Sequence, residues 1–130
     1  MVGIVIVSHS AKIAEGIRDM AVQMAKPGQK IVAAGGAGEG VIGTDAVKIY
    51  EAIKEADLGD GVVVLVDLGS AILSTETALE LLDEDTRMRV RIADAPVVEG
   101  AISAAVQASL GGDLTEVAAT AEGARELHKK

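Results

Sequence analysis

Four short runs of aliphatic residues alternate with amphipathic stretches along the chain. The runs cover residues 3–7, 30–34, 61–66 and 88–93. The first and third are apolar on both faces, which is typical of central parallel strands covered by helices; the second and fourth are shorter or carry charges, as edge strands often do. Strands that alternate with helices through right-handed crossovers predict an α/β fold. We expect a three-layer open parallel sheet in the order 2-1-3-4, with helices on both faces, as one domain over residues 1–130.

The stretches between the runs have the periodicity of amphipathic helices. The first helix is predicted over residues 11–25, with Ile13, Ile17, Met20 and Met24 on its buried face. A second helix is predicted to begin at Thr44 or Asp45, with Val47, Ile49 and Ile53 facing inward. A third is predicted to begin near Ser70, with Ile72, Leu79 and Leu82 inward. A last helix is predicted from Asp113, with Leu114, Val117, Ala121 and Ala124 on one side. The nearly uncharged stretch 97–110 is either a buried core helix or a dimer interface.

Composition narrows the classes of function. The net charge is −8 and the isoelectric point about 4.7, which disfavours nucleic acid and acidic membrane surfaces as partners. The chain has no cysteine, so disulfides and thiolate metal sites are excluded. No apolar run approaches the roughly 20 residues of a membrane span, and the first residues lack the features of a signal peptide. We therefore expect a cytoplasmic protein with no membrane partner.

Candidate chemistry lies directly after the strands, because open α/β sheets bind ligands at the carboxyl ends of their strands. His9 follows the first strand and Asp67 the third. If these strands are neighbours, the carboxylate can fix the tautomer of the imidazole and leave the other ring nitrogen free as a nucleophile. The alternatives are a solvated loop for His9 and a helix N-cap for Asp67. The second histidine, His128, lies in a polar tail.

Residues Gly69, Ser70 and Ala71 are predicted to form a helix N-terminus beside this pair. Free backbone N–H groups and the helix dipole favour a phosphate at such a position. A nucleophile, an orienting acid and a phosphate site together indicate transfer of a phosphoryl group through a histidine. No metal site is predicted.

A competing motif is Gly38–Gly43, which reads G-x-G-x-x-G between a strand and a helix and is followed by Asp67 at the end of the next strand. This is close to the fingerprint of a dinucleotide-binding protein. It follows the second strand rather than the first, and no chain remains for a second nucleotide-binding half. A small nucleotide-binding module therefore stays as the alternative function.

Four motifs in order resemble one known family. They are IVIVSHS with the following Glu15-Gly16, GTDAVKI, VLVDLGSA with STETALELL, and APVVEG. This combination is similar to the phosphotransferase subunits of the bacterial dihydroxyacetone kinase that depends on the sugar phosphotransferase system, which have a mannose-type enzyme IIA fold. The resemblance runs from residue 2 to about residue 110.

The resemblance implies roles for particular residues. His9 would accept a phosphoryl group on Nε2 from the phosphocarrier protein HPr and pass it to ADP in a partner kinase subunit, which phosphorylates dihydroxyacetone on a third subunit. The subunit itself would hold no cofactor. Asp67 would orient the imidazole, and Gly69 and Ser70 in the segment Asp67–Ala71 would contact phosphate. Glu99 lies on another nearby loop with an open role.

The family also implies a homodimer, and no role is carried onto the glycine loop 35–43. A mannose-type relative that regulates other proteins by its state of phosphorylation is a third possibility.

Overall fold

The computed structural model describes residues 1–130 as four strands and six helices. The strands are β1 (Gly3–Ser8), β2 (Ile31–Gly35), β3 (Val62–Val66) and β4 (Val90–Ile92). The helices are α1 (Ala11–Val22), α2 (Ala46–Ala56), α3 (Gly69–Leu81), α4 (Glu84–Met88), α5 (Val97–Ser109) and α6 (Leu114–Gly123), with a 3₁₀ turn at Ala124–Glu126.

The strands form one parallel sheet in the order β2-β1-β3-β4. Val7 on β1 lies between Ala34 on β2 and Val66 on β3, so these three strands end at the same edge. Strand order reverses between β1 and β3, which makes their carboxyl ends the expected position of a site. The predicted α/β fold and the order 2-1-3-4 are confirmed.

The alternating side chains of the central strands supply two cores, one on each face of the sheet. Ile4, Ile6 and Leu65 pack with α1, α5 and α6 on one face. Val5 and Val7 of β1 pack with α2 and α3 on the other face, together with Val62, Val64 and Val66 of β3. Every residue of β1 and β3 is buried, as strands covered on both faces require.

The predicted buried faces of two helices are only partly correct. In α1 the buried residues are Ala14, Ile17 and Ala21, whereas Ile13, Met20 and Met24 are more than half exposed. In α3 the buried residues are Ala71, Thr75 and Ala78, while Ile72 is exposed. Of the other predicted positions, Leu82 is buried just after the helix and Leu79 packs partly buried against the same core. Small side chains let these helices approach the sheet closely, so the largest apolar residues do not mark the buried face. In α2 the predicted face holds for Ile49 and Ile53, but Val47 is exposed.

Helix α5 is a core helix of the single chain. Its buried residues include Gly100, Ala101, Ala104, Ala105 and Ala108, and it packs against α1, α6 and both central strands. Of the two interpretations of 97–110, burial within the chain is therefore confirmed. None of the helices has both the length and the apolar character that crossing a membrane requires.

Candidate functional site

The site is built where β1 ends. Ser8 is the last strand residue and is fully buried, and Ser10 begins α1 by accepting a hydrogen bond from the Ile13 N–H. His9 therefore lies between a fully buried strand and a capped helix. Neighbouring segments hold its backbone: the Gly36 N–H donates to the Ser8 carbonyl (3.1 Å) and the Gly43 N–H to the His9 carbonyl (2.8 Å).

Asp67 follows β3 directly and contacts His9 at the carboxyl ends of the paired strands β1 and β3. The Nδ1 atom of His9 lies 3.0 Å from Asp67 Oδ1, and the His9 backbone N–H donates to Asp67 Oδ2 at 2.9 Å. The Ser8 hydroxyl donates to Oδ2 (3.0 Å) and the Leu68 N–H to Oδ1 (2.7 Å). The contact expected from the strand order is present, and Asp67 is not the N-cap of α3, a position that Leu68 holds.

The surroundings of Asp67 keep its carboxyl ionised. Partial burial by itself would raise the pKa of Asp67, but the hydrogen bonds from the His9 amide and ring, from Ser8 and from Leu68 outweigh it, and the pKa lies below its usual value. An ionised carboxylate only accepts hydrogen bonds, so Nδ1 carries the proton that it shares with Asp67. In the neutral ring Nε2 then bears the lone pair.

Ser70 lies on the other side of the imidazole. Its Oγ is 2.9 Å from His9 Nε2, and with the lone pair on Nε2 the hydroxyl is the donor. Both residues can be reached from solvent: the side chain of His9 is 23% exposed and Ser70 is exposed. Nε2 of His9 is thus paired with the hydroxyl of an exposed residue.

The N-terminus of α3 is open at this point. No side chain caps it, and a Cβ added at Gly69 would meet no atom within 4 Å. The Ala71 N–H already donates to the Leu68 carbonyl at 2.9 Å, and the Ala71 methyl is buried in the core. Of the three predicted phosphate-binding residues, Ser70 contacts His9, Gly69 is exposed at the start of α3, and Ala71 is buried. Phosphate binding by these residues stays a prediction.

The glycine loop does not have the geometry of a dinucleotide site. The Asp45 carboxylate caps α2 by accepting from the N–H groups of Val47 and Lys48, and its charge would repel a pyrophosphate there. The last glycine of the motif, Gly43, uses its N–H on the His9 carbonyl. The loop thus braces the histidine, a role that the sequence pattern did not indicate.

Glu99 lies in the first turn of α5 and pairs with Lys129 rather than with His9. Its Oε2 lies 2.7 Å from Lys129 Nζ. The hydrogen bond and charge of Lys129 lower the pKa of the Glu99 carboxyl. In this structure Glu99 ties the C-terminal tail to α5.

Ser8 is the site residue that sequence reasoning missed. Its hydroxyl binds a carboxylate 59 positions away, so no local spacing signals it. The available hint was a polar residue ending an otherwise apolar buried strand.

Comparison with known proteins agrees with this geometry. Residues 3–118 match the family EIIA-man, described as the PTS system fructose IIA component. The chain belongs to this family of mannose-type enzyme IIA domains.

Within it, the chain is 48% identical over 107 residues to the PEP-dependent dihydroxyacetone kinase 2 phosphoryl donor subunit DhaM of Listeria innocua, covering 82% of this chain and 86% of that one. It is 47% identical over 120 residues to the phosphoryl donor subunit DhaM of Escherichia coli, covering 90% of this chain but 25% of that one.

Solved structures share the fold. A protein of unknown function, EF1359, superimposes with a TM-score of 0.83 at 40% identity over 94% of this chain and 93% of that one. A DegV family protein from Corynebacterium glutamicum gives a TM-score of 0.62 at 21% identity, covering 94% of this chain and 48% of that one, which shows a common fold alone.

Proposed function

We propose that this chain is the phosphohistidine carrier of a dihydroxyacetone kinase that uses the phosphotransferase system. One observation carries the proposal: Nδ1 of His9 lies 3.0 Å from the Asp67 carboxylate, which leaves Nε2, on the side of the exposed Ser70, as the nitrogen that can accept a phosphoryl group. Relatives that are 43–48% identical are named as phosphoryl donor subunits of such a kinase.

The first transfer loads His9. The Nε2 lone pair attacks the phosphorus of the phosphohistidine on HPr; the Nε2–P bond forms while the N–P bond to the donor histidine breaks. Positive charge that develops on the imidazole is stabilised by the Asp67 carboxylate at Nδ1. The Ser70 hydroxyl then donates to a phosphoryl oxygen instead of to Nε2, and free N–H groups at the start of α3 are the other donors that we expect there.

The second transfer unloads it. An oxygen of the terminal phosphate of ADP, held by the partner kinase subunit, attacks the phosphorus and the bond to Nε2 breaks. The resulting ATP phosphorylates dihydroxyacetone on the third subunit. This chain then needs no cofactor of its own, and calorimetry with ADP or NAD should detect no appreciable binding to it.

Exposed apolar side chains near His9 support protein partners on this face. Ile42 precedes the glycine that binds the His9 carbonyl, and Leu68 and Leu73 flank the start of α3; they are 73%, 60% and 68% exposed. An incoming carrier or kinase subunit could cover these side chains and exclude water from the phosphoryl group.

Labelling with phosphoenolpyruvate, enzyme I and HPr tests the proposal. We expect one phosphate per chain, stable to base and labile to acid. His9→Ala should abolish the label, whereas His128→Ala, which removes the other histidine, should keep it. Labelling that survives His9→Ala would overturn the assignment.

Onward transfer separates the metabolic function from a purely regulatory one. The labelled chain should lose its phosphate when the ADP-loaded kinase subunit is added, and ATP should appear. Retention of the label in that mixture, with the kinase subunit shown to bind ADP, would favour the regulatory alternative. The homodimer stays a prediction for analytical ultracentrifugation of the chain alone.

A further inference from the structure

The buried hydroxyl of Ser8 sets the position of the carboxylate that holds the histidine. Ser8 Oγ lies 3.0 Å from Asp67 Oδ2 and 3.1 Å from the backbone nitrogen of Ser10. The Ser10 N–H can only donate, so Oγ uses a lone pair there and its single proton points at Asp67. The hydroxyl therefore has one permitted direction.

The two carboxylate oxygens have different partners. Oδ1 accepts from the His9 ring and from the Leu68 N–H, while Oδ2 accepts from the His9 N–H and from Ser8. Without the Ser8 bond, Oδ2 keeps one donor, the amide of a loop residue. The carboxylate could then turn about its Cβ–Cγ bond, which would carry Oδ1 away from Nδ1.

We infer that Ser8 is a positioning residue, which acts through Asp67 to keep the His9 proton on Nδ1 and the Nε2 lone pair available. Its importance for transfer rests on the proposed function. Its effect on the histidine tautomer does not.

The tautomer can be measured without any partner protein. Long-range ¹H–¹⁵N spectra report which ring nitrogen carries the proton, and the chain has only two histidines, so His128 serves as an internal reference. The wild type should show the Nδ1–H form at His9. Ser8→Ala should give a mixture with the Nε2–H form, and labelling by phospho-HPr should slow by about tenfold, the scale set by one hydrogen bond to a charged group.

Ser10→Ala is the matched control. This variant removes a hydroxyl two residues further along the chain. That hydroxyl caps α1 and has no hydrogen bond with Asp67. The tautomer of His9 should be unchanged in this variant. Ser8→Thr, which keeps a hydroxyl at the position, should restore both the tautomer and the rate.

A double-mutant comparison tests whether Ser8 acts through Asp67. In the Asp67→Asn background, Ser8→Ala should cause no further loss of rate. If circular dichroism shows that Ser8→Ala does not fold, Ser8→Cys, of similar size and a weaker donor, takes its place with the same expectation.

Several results would overturn the inference. They are an unchanged tautomer in folded Ser8→Ala, an equal change in Ser10→Ala, a folded Ser8→Thr that is as slow as Ser8→Ala, or a full additional loss in the Asp67→Asn background. A wild type that shows the expected tautomer but is never labelled contradicts the proposed function instead.

Discussion

At the scale of single residues, one carboxylate organises the site. Four hydrogen bonds converge on Asp67, from the His9 ring and amide, from Ser8 and from Leu68. Each favours the ionised form, and together they place the pKa of Asp67 below its usual value against the opposing effect of burial. The same bonds that orient the histidine therefore also contribute to stability.

This linkage predicts how Asp67→Asn depends on pH. A carboxyl whose pKa is lower in the folded than in the unfolded state stabilises the protein above its unfolded pKa, and this contribution is lost as the pH falls toward the folded pKa. We expect the wild type to exceed Asp67→Asn in free energy of unfolding at pH 7. The difference should shrink as the pH falls below about 4.

Urea unfolding at several pH values measures this difference. Asp19→Asn, on the exposed surface of α1, is the control variant. A gap between wild type and Asp67→Asn that is constant from pH 7 to pH 3 contradicts the prediction.

At neutral pH, Asp67→Asn should slow labelling of His9 by at least about tenfold, because the developing imidazolium loses its counter-charge. Stopped-flow or quench kinetics can measure this rate. Labelling of folded Asp67→Asn at the wild-type rate would refute the expectation.

At the scale of elements, close approach of β2 to α1 sets the position of His9. A Cβ at Gly35 would lie 2.6 Å from the Ser10 carbonyl oxygen and 2.8 Å from Ala11 Cα, both backbone atoms that cannot give way as a side chain can. The end of β2 therefore packs directly against the segment that carries the histidine. The glycine loop that follows completes the support through the N–H groups of Gly36 and Gly43.

Gly35→Ala should consequently destabilise the protein by about 1–3 kcal/mol, since the added methyl forces the backbone apart. It should also slow labelling of His9, because Ser10 and Ala11 must shift. Gly16→Ala is the matched control, because a Cβ there meets nothing within 4 Å. Alanine in the interior of α1 should increase the free energy of unfolding by roughly 0.5–1 kcal/mol. Urea unfolding measures the change in stability of both variants. A Gly35→Ala variant as stable as the wild type would show that β2 and α1 do not pack tightly at this position.

The elements also show what the sequence could predict. Strand order followed from the pattern of apolar residues: runs 3–7 and 61–66 are apolar on both faces, which indicated central strands, whereas runs 30–34 and 88–93 are shorter or carry charges, which indicated edge strands. That order alone brought His9 to Asp67. Helix α4 was missed because its five residues, Glu84–Met88, include no buried one and so leave no apolar periodicity.

Other features could not be predicted because they depend on distances between distant segments. The buried face of α1 is set by Ala14 and Ala21, which an analysis of large apolar residues overlooks. The role of Ser8 depends on the position of Asp67, which follows β3. The role of the glycine loop depends on which carbonyl groups its N–H groups contact. Such contacts become visible only once the strands are in register.

At the scale of the whole molecule, the candidate site lies at one edge of the sheet in a strongly acidic protein. The net charge is −8, and the carboxyl ends of all four strands lie at the edge where His9 is placed. A partner with a basic docking face would be attracted over a distance comparable to the Debye length.

Transfer from HPr at low donor concentration should therefore slow as salt rises from about 0.1 M to about 1 M, over which the Debye length falls from about 10 Å to about 3 Å. Rates at saturating donor should change much less, since the complex has already formed. Circular dichroism at each salt concentration confirms that the fold is intact. A rate at low donor that is independent of salt would show that charge does not guide this encounter.

The open N-terminus of α3 has a consequence for the evolution of this protein. With Leu68 at the N-cap, the helix forgoes the roughly 0.5–2 kcal/mol that serine or aspartate commonly contributes there. Leu68→Asp should therefore raise the melting temperature and yet slow labelling of His9, because its carboxylate would compete with phosphate for the same N–H groups. Selection for heat resistance alone should install an acidic residue at position 68, whereas selection for carrier activity should remove it again.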